Sequence, residues 1–260
     1  MMKETLSLGL IQTPLHWHQP EANRAMLEEK IWQLPQNLDV IVLPEMFTTG
    51  FTMDAPRLAE PMNLHTFKWM KQMAAQTGAA LTGSYIVAEN GAYFNRLLWM
   101  QPDGNFWQYD KRHLFRMAEE HHTYTPGQHR LVITWKGWRI CPLICYDLRF
   151  PVWSRNQGLA YDLLLYVANW PQARQMAWEA LLPARAIENL SYALGLNRVG
   201  EDGNGIAYAG GTAAYDFKGQ ALTHLGAEEK ITALSLEARM LHQYREKFPA
   251  HLDADSFDWV

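Results

Sequence analysis

The sequence predicts a single-domain α/β sandwich, with two central sheets and helices packed outside them. Three observations lead there. The segments "LDVIVLPEMF" (38–47) and "YDLLLYVANWP" (161–171) carry continuous apolar runs, the composition of strands buried on both faces. Stretches with helical spacing follow such runs. Elsewhere the style changes to alternating segments joined by tight-turn signals at Asn90-Gly91, Asp103-Gly104 and Lys136-Gly137, which predict a β-meander and a hairpin. Layered sheets with outer helices accommodate both styles.

Taken in order, "LSLGLIQTP" (6–14) alternates and reads as a first strand ending at Pro14. "EANRAMLEEKIWQLP" (21–35) reads as a helix with Met26, Ile31 and Leu34 on its apolar stripe. The run from Val40 is a buried strand stopped by Pro44, and Glu45 is the first charge after it. "NLHTFKWMKQMAAQTG" (63–78) is a helix with Gly78 as its stop. The meander occupies 79–115, and "RMAEEHHTYTPGQ" (116–128) reads as a loop. "HRLVITWKGWRICPLICYD" (129–147) is the hairpin, with a short helix from Pro151. "RQMAWEALLPARAIENLSY" (174–192) looks helical, with Pro183 as a kink or a break. A strand "ALGLNRVG", a glycine-rich loop and hairpin (201–220), an edge strand "KITALSLE" and a last helix "EARMLHQYREKF" complete the domain. The acidic, aromatic tail (248–260) reads as an arm docked on this chain or on a partner.

Composition narrows the function. The chain has 260 residues, 48% of them hydrophobic, enough for a large core. Its net charge of -4 leaves no nucleic-acid or membrane-surface footprint. No segment approaches the ~18 uninterrupted apolar residues of a spanning helix. Cys141 and Cys145 lie four apart in one strand, about 13 Å by strand rise, too far for a disulfide. The expectation is a reduced, cytoplasmic protein. Ten histidines carry no metal-ligand spacing, so no metal is expected. "EDGNGIAYAGG" does not follow the strand-to-helix turn of a nucleotide site.

Three segments share one property. "VIVLPE", "FWQYDK" and "CPLICYD" are strand-like runs whose first reactive or ionisable group comes at or near the C-terminal end. Those groups are Glu45, Lys111 and Cys145, and carboxyl ends of strands are where α/β proteins place their sites. A thiol, an ammonium that lowers its pKa and a carboxylate that carries its proton suit acyl transfer. A lone cysteine in an apolar strand is also, commonly, plain core. The residues alone leave both readings open.

These residues are familiar together. "LPEMF", "YDKRHLF" and "ICYDLRFP", in that order, resemble the three motifs of the nitrilase superfamily of carbon–nitrogen hydrolases, with further likeness at "ANWP" (168–171), "ARAIEN" (184–189) and "NRVG" (197–200). The resemblance implies a four-layer α-β-β-α sandwich and homodimers or larger homo-oligomers. It implies Cys145 as nucleophile, Glu45 as general base and acid, and Lys111 with the Tyr146 backbone N–H as oxyanion donors. It also implies a second glutamate in the loop before the cysteine motif, at Glu120 or its neighbour Glu119. No cofactor is implied. Within the family the chain looks most like the ω-amidases, which hydrolyse the terminal amide of 2-oxo acids such as 2-oxoglutaramate; other amides, carbamoyl compounds, nitriles and an inactive binding homologue are the alternatives. Arg149 is the candidate for gripping the substrate carboxylate, since a guanidinium fork matches it. Phe47, Tyr146 and Trp170 are candidate pocket walls.

Overall fold

The computed structural model describes residues 2–257. β1 (Thr5–Gln12) opens the chain and is followed by α1 (Pro20–Gln33) and β2 (Val40–Val42). Then come α2 (Ala55–Leu58), β3 (Glu60–Pro61), α3 (His65–Thr77), β4 (Ala80–Glu89), β5 (Ala92–Met100) and β6 (Phe106–Asp110). After α4 (Glu120–Thr123) the second half runs through β7 (Ile133–Trp135), β8 (Trp138–Ile144), α5 (Pro151–Ser154), β9 (Leu163–Val167), α6 (Gln175–Asn189) and β10 (Tyr192–Leu196). Four short strands follow, β11 (Val199–Glu201), β12 (Ala207–Ala209), β13 (Ala213–Tyr215) and β14 (Ala221–His224), and then the longer β15 (Lys230–Glu237). α7 (Ala238–Lys247) is the last helix.

The strands form two large sheets, ordered β15-β1-β2-β4-β5-β6 and β14-β13-β10-β9-β8-β7. Each has parallel pairs at its centre and antiparallel pairs outside. The central strands are the continuous apolar runs, and every residue of β2, β9 and β10 is buried. β15 pairs antiparallel with β1 over its whole length, from Thr5 against Glu237 to Gln12 against Lys230.

Leu6, Leu8, Leu10, Val42 and Trp99 of the first sheet join Ile140, Leu163, Leu165 and Leu194 of the second in one core. Outside the first sheet, α1 and α3 press Leu27, Ile31, Met70 and Met73 onto Ile41, Leu81 and Leu98. Outside the second, Trp178, Leu182 and Leu241 bring α6 and α7 to the sheet. This is the α-β-β-α sandwich the sequence predicts.

Three local expectations change. The inward stripe of α1 is Asn23, Leu27 and Ile31, with Met26 half-buried at its edge. Asn23 is buried because its side chain bonds the backbone of His16 and Thr48. α6 runs unbroken across Pro183 as a single 15-residue helix. The 116–128 loop holds a three-ten turn and α4, both too short to show a period in sequence. Gly78 stops α3 in the left-handed conformation, as expected. The tail forms a three-ten turn at Ala250–Asp253, and the Phe257 carbonyl accepts a hydrogen bond from Gln157 of this same chain. Asp258 and the two residues after it lie outside the described residues. Among the described residues, no helix is long and apolar enough to cross a membrane.

Candidate active site

Glu45 sits in the turn after β2. Ser84 pins that turn by accepting from Met46 N at 2.9 Å through its hydroxyl and from Phe47 N at 3.0 Å through its carbonyl. The fully buried carboxylate is saturated with donors. Oε1 accepts from Lys111 Nζ and Asn95 Nδ2, each at 2.8 Å, and Oε2 accepts from the Asn169 backbone N–H at 2.8 Å.

Lys111 directly follows β6, and its carbonyl accepts from Gly127 N at 2.9 Å, which folds the loop back onto the strand. Gly127 has to be glycine: a Cβ there would lie 2.1 Å from the Asp110 carbonyl oxygen. The folded loop delivers Glu120, the first residue of α4. Both its oxygens accept from Lys111 Nζ at 3.0 Å, and Oε2 also accepts from Phe115 N at 2.6 Å. Glu119 is exposed, with φ at +56°, so the structure brings Glu120 and not Glu119 to the lysine.

Cys145 begins the three-ten turn Cys145–Arg149 at the end of β8, with φ at +43°. That left-handed conformation is strained for a non-glycine residue, and such strain clusters at functional sites. Asp147 holds the turn. Its buried carboxylate accepts from Ile144 N at 3.0 Å, Tyr109 OH at 2.7 Å, His113 N at 3.0 Å and His113 Nδ1 at 2.8 Å. The cysteine turn is thereby locked to the strand and loop that carry Lys111. The Tyr146 N–H falls in the first turn, where helical geometry leaves amides without an in-helix acceptor.

The charges work against one another. Burial opposes the Lys111 ammonium, but Glu120 and Glu45 outweigh it and hold the lysine above its ordinary pKa. Burial pushes Glu120 up against the pull of Lys111, and the Glu45 charge adds to the rise. The Cys145 thiol is pushed well up, first by burial and then by the Glu45 charge, with Lys111 pulling less strongly the other way. The sequence suggested an ammonium lowering the thiol pKa. Burial, joined by the carboxylates beside the ammonium, reverses that balance and favours the protonated thiol.

Cys145 and Lys111 line a cavity of about 390 Å³. Phe51, Phe115, Tyr146 and Trp170 give it aromatic walls, and the β11–β12 hairpin contributes Asp202, Asn204, Ile206 and Tyr208. Arg149 lies in the lining with its guanidinium 5.2 Å from the Trp170 ring centre. Phe47 does not reach the cavity. It is wholly buried among Leu43, Trp69 and Tyr85 behind the Glu45 turn, because the turn directs it to the α1–α3 side of the first sheet. Cys141 is also buried away from the cavity, with its thiol pushed up to about 12 by burial. No group of three or more His, Cys, Asp or Glu side chains suits a metal ion among the described residues.

Sequence reasoning gave no role to Asn95, Asn169 or Asp147. Asn169 carried a usable signal: it is the first polar residue after the apolar run of β9. Asn95 lies mid-strand and Asp147 reads as an ordinary turn carboxylate, so neither stands out.

Comparisons with known proteins give the family. The family model described as carbon-nitrogen hydrolase matches residues 7–245. A protein of Yersinia enterocolitica named omega-amidase YafV is 50% identical, over 97% of this chain and 98% of its own. A Bacillus subtilis protein named 2-oxoglutaramate amidase is 30% identical over the same shares. The crystal structure of XC1258 from Xanthomonas campestris, described as a CN-hydrolase superfamily protein with an arsenic adduct in its active site, superposes with a TM-score of 0.97. It is 45% identical and covers 99% of this chain and 100% of its own. A strand-end glutamate, lysine and cysteine gathered under one cavity, in a sandwich of this topology, thus come with likeness along nearly the whole chain, and the protein belongs to the carbon–nitrogen hydrolase family.

Proposed function

We propose that this enzyme hydrolyses the terminal amide of an ω-amide 2-oxo acid such as 2-oxoglutaramate, releasing ammonia and the dicarboxylate. The Cys145 thiol attacks the amide carbon while Glu45 takes its proton, so sulfur becomes nucleophilic only as the S–C bond forms. The carbonyl oxygen becomes an oxyanion facing Lys111 Nζ and the Tyr146 N–H. Of the three ammonium protons, one goes to Glu45 and one is shared by the two Glu120 oxygens, which leaves one for the oxyanion. Glu45 returns its proton to the amide nitrogen, the C–N bond breaks and ammonia leaves. Water then attacks the thioester with Glu45 as base. The C–S bond breaks, the acid leaves and the thiol is reprotonated. No cofactor enters any step.

One observation carries this reading: Cys145 lines one cavity with Lys111, whose ammonium is bonded to the buried Glu45 carboxylate, and with two guanidinium groups. The names of the relatives support the substrate class. The test is ammonia release from 2-oxoglutaramate, glutamine, a simple aliphatic amide and a nitrile, with wild type beside Cys145→Ala. Turnover of 2-oxoglutaramate should fall at least ~10³-fold in the variant. Release from the other compounds alone would keep the thiol mechanism and discard the substrate.

The two free cysteines suit a reducing cytoplasm. Exposed Val152, Met176 and Ile187 on α5 and α6 suit a homo-oligomer. Light scattering that returned a single-chain mass would refute the oligomer.

A further inference from the structure

Besides Lys111, two cationic side chains line the cavity, Arg149 and Arg174. Lys111 is answered by two carboxylates. Among the described residues, neither arginine has a carboxylate within salt-bridge distance. Asp202, the one acidic side chain in the lining, spends its oxygens on Tyr208 OH at 2.9 Å and on the backbone N–H groups of Asn204 and Ile206 at 2.8 and 3.1 Å. Both guanidiniums instead lie against aromatic faces. Arg149 is 5.2 Å from the Trp170 ring centre, and Arg174 is 5.1 Å from that of Phe115, with one nitrogen on the Met117 sulfur. A guanidinium held over an aromatic face keeps N–H donors for a planar anion. Arg149 belongs to the cysteine turn, whereas Arg174 follows the segment after β9, so the two come from different elements. Trp170 ties them together: its face carries Arg149 and its indole N–H donates to the Arg174 carbonyl at 2.8 Å.

A single carboxylate needs one fork. A 2-oxo acid offers more: two carboxylate oxygens and a ketone oxygen, all acceptors in one plane and no donor among them. We propose that Arg174 is the second half of a two-arginine clamp, bonding the 2-oxo end of the substrate beside Arg149, and that it rejects the corresponding 2-amino acid amide. Arg174 answers acceptor oxygens with N–H donors. Facing a 2-ammonium group, the same guanidinium meets a like charge and a donor with no acceptor. The proposal rests on the ω-amide 2-oxo acid reading, and it names what lets that site distinguish 2-oxoglutaramate from glutamine.

The test is steady-state kinetics of wild type, Arg174→Gln and Arg174→Lys on 2-oxoglutaramate and L-glutamine. Arg174→Gln should raise KM for 2-oxoglutaramate about 10- to 100-fold, with kcat changing much less. The preference for 2-oxoglutaramate over glutamine should shrink by a similar factor. Arg174→Lys keeps the charge and loses the fork, so it should retain most of the discrimination against glutamine while weakening KM. Equal losses on both substrates, or a loss in kcat alone, would overturn the role given to Arg174. Wild type inactive on 2-oxoglutaramate but active on another amide would overturn the substrate reading and the clamp together. The two failures are distinguishable because the first is read in the variants and the second in the wild type.

Discussion

The two ends of β8 and β9 hold two buried charge clusters with opposite characters. At the entry end, Asp162 lies between two arginines. Its oxygens accept from Arg139 Nη2 and Arg245 Nη1, each at 2.7 Å, and from the Arg139 backbone N–H at 3.0 Å. Burial alone would raise this carboxyl, but the bonds from Arg139 and Arg245 outweigh it and hold it below the usual range. At the exit end a single ammonium lies between Glu45 and Glu120, with a thiol close by. There the pKa values of Glu120 and Cys145 move toward their protonated forms. The first cluster favours the charged form of its carboxylate, while burial holds Arg245 below its ordinary pKa. The second sets two carboxyl groups and a thiol around one ammonium, and it opens to a cavity. Strands of one sheet thus carry a fastening at one end and a reactive group at the other.

Substitutions at the two clusters should separate activity from stability. Of the substitutions that spare the thiol, Glu120→Gln is expected to have the largest of the effects that follow. It removes half of the counter-charge that positions the Lys111 ammonium, so kcat should fall on the order of 10²-fold. Thermal stability should hold or rise, because a carboxylate disfavoured by burial is gone. A fall in Tm with kcat intact would reverse the assignment. Asp162→Asn should do the opposite. Arg245, almost wholly buried, would lose its carboxylate, at a cost of about 3 kcal/mol in denaturant unfolding, while the activity of the folded protein changes little. The smallest effect is in the pH profile. Asp162 has a folded pKa below its unfolded value of 3.8, so its contribution is fully present above that value and is lost as pH falls through the folded one. The acid limb of stability below about pH 4 should therefore be shallower in Asp162→Asn than in wild type.

The sequence shows the two clusters unequally. Glu45, Lys111 and Cys145 come at or near the ends of strand-like runs, which makes them candidates, and the resemblance of the motifs around them is what gathers the three. Glu120 could be narrowed only to a pair, since which of two adjacent glutamates turns inward depends on the left-handed backbone at Glu119. Asn95 and Asp147 act across strand and loop boundaries, and nothing in their own segments marks them. Arg174 sits in a stretch that reads as the start of a helix, and its importance appears only once Phe115 and Trp170 are seen around it. Phe47 shows the converse. Its place beside Glu45 suggested a wall, but a residue two positions from a catalytic candidate in a turn can face the opposite layer. Element order, the meander and the buried strands were legible because they depend on local periodicity; the partners of a charge depend on which strands the fold makes neighbours.

The full-length pairing of β1 with β15 has a consequence for how this chain comes into being. Until residue 237 has been made, the second strand of the chain's first sheet exposes a bare edge, with its amide and carbonyl groups unpaired along Thr5–Gln12. At typical translation rates of ~5–20 residues per second, that edge waits on the order of ten seconds or more on the ribosome. The sheet beside Glu45 and Lys111 cannot be finished until β15 has emerged, so the nascent chain stays open to strand-to-strand aggregation along β1 until then.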